Sequence, residues 1–289
     1  MAIELVTKYS PLVDELFATE SKFRMVTNTD YEWTGAHTVK VYKVSTASMT
    51  DYGRSGPAEG NWSRYGEVEG LDATTEELTL RKDRSFTFAI DKLDTDETGG
   101  AVAAGSALAR QQRQVIIPEI DSYVFGIMAN NAGNTEYGEL SKDNIYAAIL
   151  DGTEALDNAE VPEGERFLIV SPSVYQLMKK SQDIVLDTNI GQDMRLKGVI
   201  ANLDGLTVVR VPASRLPENC GFIMAHPVAT VAPVKLEDYR IHLDPPGISG
   251  SLVEGRICYD AFVLDNKANA VYYHVNAAEE SNDESAGQE

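Results

Sequence analysis

Cysteine is nearly absent from this chain. Only Cys220 and Cys258 occur in 289 residues, too few for a disulfide framework and without the paired spacing of a zinc site. Both lie in apolar, strand-like runs, where a small buried thiol is the expected role. Basic residues are scarce as well: 25 Lys and Arg stand against 45 Asp and Glu, a net charge of −20. That balance argues against a nucleic-acid reader, whose affinity rests on cations that neutralise phosphates. It leaves room for a protein that lives beside nucleic acid without gripping it. No run approaches the roughly 20 apolar residues of a membrane helix. The opening Met1–Lys8 has neither the basic region nor the apolar stretch of a signal peptide, so a soluble intracellular chain is expected.

Catalytic motifs are lacking too. Neither G-x-G-x-x-G nor G-x-x-x-x-G-K-[ST] occurs, so no phosphate loop is expected. The four histidines, His37, His226, His242 and His274, are dispersed, and none has a partner at metal-ligand spacing. Gly247-Ile-Ser-Gly-Ser is not the G-x-S-x-G elbow of a nucleophilic serine; after Pro245-Pro246 it reads as a turn. From Asp94 the chain imitates half a calcium loop, with Asp96 and Gly99 in place. Thr98 and Gly105 stand where a ligand and the bidentate Glu are required, and carboxylates at a helix start account for the run. No catalytic residue, cofactor or metal is expected.

What is present changes texture along the chain. In the first 36 residues, Ser10 can cap a helix with Pro11 at its first position and Asp14 and Glu15 in its first turn. Leu12, Val13, Leu16, Phe17 and later Phe23 give it one apolar stripe. A single short amphipathic helix has no core of its own, so this arm must lie on the rest of the chain or on a neighbour. From His37 to Leu93 the pattern alternates: Val39, Val41 and Val44 in one arm, Leu78, Leu80, Phe86, Phe88 and Ile90 in the returning one. Between them runs Met49–Gly66, rich in Gly and Ser yet carrying Tyr52, Trp62 and Tyr65 interleaved with Arg54 and Arg64. Irregular connections this long are uncommon unless functional, and Tyr, Trp and Arg are the residues enriched at protein interfaces. The pattern predicts a long projecting hairpin, with arms reaching on the order of 50 Å, whose tip binds another subunit.

A long helix is predicted next, with Ile116, Ile120, Val124, Ile127 and Met128 at three- and four-residue spacing and Pro118 bending or restarting it. From Ser141 the texture is α/β. Ser141 is expected to cap a helix over 142–158 with Ile145, Ile149, Leu150 and Leu156 inside. Phe167–Val170 reads as a buried strand, Ser171-Pro172 as the start of a helix through Val174, Leu177 and Met178. Leu206–Val211, Phe222–Ala225 and Ala270–Val275 read as further strands. The last 14 residues hold five acidic and no basic or aromatic residues, and are expected to be disordered.

The order of these parts resembles the major capsid proteins of tailed bacteriophages, the Hong Kong phage (HK97-like) type. The resemblance runs from about Val6 to His274. Its most specific pieces are Arg166–Met178, Gly198–Pro212 and Gly250–Tyr273, taken in order and spacing. It implies an α+β fold with an N-terminal arm (1–36) and an extended hairpin loop lying across an adjacent subunit (37–93). The spine helix and start of a peripheral domain follow (94–140), then an axial domain meeting its copies around five- and six-fold axes (141–235). Peripheral strands returning to the axial domain (236–275) and an acidic tail (276–289) complete the plan. It further implies a major capsid protein of a double-stranded DNA phage, built through hexamers and pentamers into an icosahedral shell. Such a shell is assembled in the host cytoplasm with scaffolding and portal proteins, sometimes with cement proteins, and encloses DNA without sequence-specific binding and without a membrane. Because the arm begins almost at Met1, a scaffolding extension is expected to be removed or supplied separately. The tip has no lysine, so the covalent crosslinking of some relatives is not expected. Leu12, Leu16, Phe17, Tyr52, Arg54, Trp62, Arg64 and Tyr65 are the expected inter-subunit contacts. Two alternatives stand beside this reading: the encapsulin type of cellular compartment shell, which shares the fold, and a monomeric α/β enzyme or ligand-binding protein using residues 141–235.

Overall fold

Strands β1 (Thr38–Val44) and β2 (Ala73–Thr79) pair antiparallel in unbroken register, Thr38 opposite Thr79 and Val44 opposite Ala73. β1 is rich in Val and β2 in Thr, the β-branched residues that suit a pleated ribbon. They form the stem of a unit spanning residues 33–80; residues 1–32 and 81–289 form a second unit. This computed structural model describes residues 21–28, 38–44, 49–56, 62–65, 70, 73–97, 104–186 and 202–277.

The alternating run that was expected to return as one arm over Leu78–Ile90 is divided. β2 ends at Thr79, and β3 (Lys82–Asp91) belongs to the second unit. At the break the Arg81 amide donates to Asp260 Oδ2 at 2.9 Å. A period-2 pattern reports that a strand has an inner face, not which strand it pairs with, so sequence runs the two together.

After β3 come the short helix α1 (Lys92–Glu97) and α2 (Ala104–Gln111), with the Asp91 carboxylate accepting the Leu93 amide at 2.8 Å. A π-helical turn over Gln112–Ile116 leads without a break into α3 (Ile117–Asn130). The helix therefore runs through Pro118 instead of restarting there. Proline cannot donate to the carbonyl four residues back and its ring crowds that carbonyl; the widened turn ahead of it makes the room.

The chain then gives β4 (Asn134–Tyr137), α4 (Ile145–Asn158), β5 (Phe167–Val170), α5 (Pro172–Lys180) and α6 (Gln182–Leu186). β6 (Asn202–Leu203), β7 (Leu206–Arg210), β8 (Cys220–Ala225) and β9 (Thr230–Val231) follow. The last strands are β10 (Val234–Leu243), β11 (Gly250–Tyr259), β12 (Phe262–Val263) and β13 (Val271–Val275). Helix α4 begins three residues later than expected. Ser141 caps a preliminary turn instead, its Oγ accepting the Asp143 amide at 3.3 Å while Asn144 Oδ1 accepts the Ser141 amide at 2.7 Å. Ser171 does cap α5, accepting the Val174 amide at 3.3 Å ahead of Pro172.

Two larger sheets organise the second unit. One has six strands in the order β4-β13-β8-β5-β7-β6, and the other has three, β10-β11-β3. Leu168, Ile169 and Val170 of β5 and Phe222 to Ala225 of β8 are fully buried, the unbroken apolar runs of strands covered on both faces. Helix α4 turns Ile145, Ile149, Gly152 and Leu156 inward and leaves Leu150 exposed. Gly152 allows the close approach: a Cβ there would stand 2.8 Å from Met224 Sδ and 3.1 Å from Tyr272 Cε1. Gly152→Val should therefore destabilise the fold by about 1–3 kcal/mol through overpacking, read as a fall in the urea midpoint at unchanged slope. On the smaller sheet, Leu108 of α2 packs on Val253 with Phe86, Phe88 and Tyr239 around them. Gly255 lies beneath the rings of Phe86 and Tyr239, its strand neighbours on either side.

Candidate functional site

The tip of the hairpin unit brings together several of the expected contact residues. Gly53 donates its amide to the Arg64 carbonyl at 2.9 Å, and the Thr50 hydroxyl donates to the Tyr65 carbonyl at 2.7 Å. These bonds fold residues 49–56 against 62–65 and set the rings of Tyr52 and Tyr65 edge to face, with centroids 5.0 Å apart. The Ser63 hydroxyl accepts the Tyr65 amide at 3.1 Å. Among the described residues nothing in the unit covers the result. Trp62 is 83% exposed and Tyr65 79%, Met49 is fully exposed, and Arg54 and Arg64 stand in solvent beside them. Exposed apolar side chains grouped in this way are what a contact surface would need, and burying each ring would contribute roughly 1.5–3 kcal/mol.

The arm contacts Leu12, Leu16 and Phe17 lie outside the described residues. Where the arm joins the second unit, its path is fixed by a residue that sequence did not single out. Asp121 of α3 is fully buried. Its carboxylate accepts hydrogen bonds from the Ser21 hydroxyl, the Lys22 and Phe23 amides and, at 2.8 Å, the Arg215 guanidinium. Burial pushes this carboxyl above the ordinary carboxylate range, against the pull of Arg215 and of the backbone amides. Beyond this anchor, Phe23 and Val26 are buried in the main core, and the Asn28 amide donates to the Thr230 carbonyl at 2.7 Å. Phe23, placed by spacing on the arm's stripe, is thus committed to its own chain. A second buried carboxylate, Asp260, receives the Arg81 amide, the Tyr123 hydroxyl at 2.8 Å and the Ala261 amide. Burial and this carboxylate push Tyr123 up to about 12.

No group of three or more His, Cys, Asp or Glu among the described residues could hold a metal ion. Burial pushes the Cys220 thiol up to about 12, so it is not a thiolate at neutral pH. His226 uses Nδ1 to accept the Val228 amide, and His242 faces Glu254 at 3.3 Å. His274 stacks on Phe222 at 4.8 Å, held below the ordinary imidazole range by burial. Of the histidines described, His226 caps a turn, His274 packs on a ring and His242 stands within reach of a carboxylate. No described helix is long and apolar enough to cross a membrane.

No family model and no curated protein matches the chain. Solved structures do match. A structure of Mycobacterium phage Che8 agrees with a TM-score of 0.72 over 88% of this chain and 90% of that one, at 17% identity. The mature capsid of bacteriophage PhiM1 gives 0.66 over 88% and 86%, at 14% identity. A virus-like particle from Pyrococcus furiosus gives 0.58 over 94% and 100%, also at 14%. The chain has the α+β, HK97-like fold of phage capsid subunits, as the sequence resemblance implied.

Proposed function

We propose that this chain is the major capsid protein of a tailed, double-stranded DNA bacteriophage, assembling through hexamers and pentamers into an icosahedral shell. The observation that carries this reading is the unit of residues 33–80, a paired ribbon whose tip presents Trp62, Tyr65 and Met49 to solvent. A freestanding protein gains nothing from such a tip; a subunit that must cover its neighbour does. In this reading residues 33–80 are the extended loop. The helix from Ala104 to Asn130 is the spine, the three-stranded sheet with it is the peripheral domain, and the six-stranded sheet is the axial domain. Identical copies then meet head to tail in closed rings, with scaffolding, portal and cement proteins as further partners. The net charge of −20 suits a wall that encloses DNA without adhering to it, and no enzymatic role is inferred.

The likeness to the virus-like particle, which extends over all of that chain, favours a second reading: a cellular compartment shell of the encapsulin type. Negative-stain electron microscopy of the purified chain, with and without the products of neighbouring genes, tests both. Closed particles or rings of five and six are the expected result, and a uniform population of monomers would overturn either reading. Particles from the native source that hold duplex DNA support the phage, and particles that hold a protein cargo support the compartment. Strong, salt-sensitive binding of DNA by isolated subunits would overturn the non-adhesive wall.

A further inference from the structure

Protein interiors pack so closely that few voids exceed a water molecule. Between the helix and the three-stranded sheet, the described residues leave a crevice of about 210 Å³. Its depth is apolar. Ile116 of the π-helical turn, Ile120 of α3 and Ile257 of β11 are each at most 6% exposed, and Phe86 of β3 lines the crevice beside them. The pairing register brings the sheet residues together. Arg84 stands opposite Ile257 and Phe86 opposite Gly255, so all lie on the face that Val253 turns toward Leu108 of α2. Val115, in the same widened turn and 44% exposed, stands at the rim.

The opening is polar and balanced. Arg84 and Glu119 line it with side chains 61% and 40% exposed, and Arg84 Nε donates to Glu119 Oε1 at 2.9 Å. The Tyr259 hydroxyl donates to the same oxygen at 3.0 Å. Burial and the Glu119 charge hold this phenol above its ordinary range, so it remains a donor. Glu119 Oε2 receives no hydrogen bond among the described residues and is the acceptor left for a further group. A charged ligand would meet one opposite and one like charge here, so the opening suits a neutral molecule. An apolar cavity of roughly 150 Å³ stays dry and takes benzene; this one has room for a second fused ring.

We propose that this crevice binds a neutral aromatic molecule of one or two fused rings with a single N–H or O–H, of the phenol or indole class. The ring lies against Ile116, Ile120 and Ile257, and the N–H or O–H donates to Glu119 Oε2. The site lies within one subunit, so it does not depend on the shell reading.

The test is an NMR titration of the full-length, unassembled chain, labelled at its isoleucine methyl groups, with indole. The methyls of Ile116, Ile120 and Ile257 should shift together and saturate, with a Kd on the order of 0.1–1 mM for so small a ligand. 1-Methylindole keeps the ring but has no N–H to donate, and should bind about fivefold more weakly. Val115→Trp fills the rim from an exposed position and spares the buried wall. It should abolish the shifts while the other isoleucine methyls keep their positions. The proposal is overturned by shifts spread equally to Ile145, Ile149 and Ile223, buried around the six-stranded sheet, or by shifts that never saturate. Equal binding of indole and 1-methylindole, or indifference to Val115→Trp, would overturn it as well. Indole binding that appears only in the chain carrying Trp62→Ser and Tyr65→Ser would give the crevice to a ring of a second copy instead.

Discussion

If the chain builds the proposed shell, replacing Trp62 and Tyr65 together by serine is expected to leave a folded subunit that no longer closes into particles. Both rings stand mostly in solvent within the hairpin unit, so their loss removes little of the subunit's packing beyond the Tyr52–Tyr65 ring contact. Exposed substitutions of this kind stay within about 0.5 kcal/mol, or a shift of roughly 1–2 °C in the melting midpoint. On a neighbour the same rings would be covered. Two buried aromatics contribute roughly 3 kcal/mol or more, so the concentration needed for assembly should rise at least about a hundredfold. Sedimentation velocity across a concentration series, with circular dichroism on the same samples, separates the two effects. Variants that assemble at the native threshold would remove the tip from the assembly contact. Variants that melt early would make it part of the subunit's own packing.

The tip was legible in the sequence because its signal is local. Tyr52, Trp62 and Tyr65, with Arg54 and Arg64 among them, fall within 14 residues of one another in a stretch otherwise rich in Gly and Ser, and the contrast needs no knowledge of the fold. The same holds for the strand Phe167–Val170 and for the Ser171-Pro172 helix start, which bonds between neighbours determine. What sequence missed lies in bonds between distant residues. β3 parts from β2 because Arg81 is held by Asp260, 179 positions away, and because β11 offers β3 a partner of equal length. The same distance hid Asp121. Within its own helix it reads as one more carboxylate in an acidic chain, and its partners Ser21 and Arg215 are each about a hundred residues off. Its burial is faintly visible in hindsight, since it sits one position after Ile120 and three before Val124 on the stripe that the helix turns inward.

Asp121 is also where the largest loss of subunit stability is expected. Asp121→Ala would strip the Arg215 guanidinium of its carboxylate and leave the amides of Lys22 and Phe23 without an acceptor in a buried site. Breaking a buried pair from one side costs about 3–5 kcal/mol, and the root of the arm should come free of α3. Limited proteolysis near residues 21–28 would then precede global unfolding. Asp121→Asn keeps the shape and one acceptor oxygen, and its comparison with the native chain carries a pH signature. Because burial raises the folded-state pKa of Asp121 above its unfolded value, the folded chain holds this proton more tightly than the unfolded one. The contribution of the residue is therefore fully present below the unfolded pKa, near 3.9, and declines as pH rises through the higher folded value. The stability gap between the native chain and Asp121→Asn should be widest in acid and narrow toward neutrality, measured as urea midpoints over a pH series. A gap that widens as pH rises would mean that Arg215 and the backbone amides outweigh burial, and that the anchor is strongest as an ion pair.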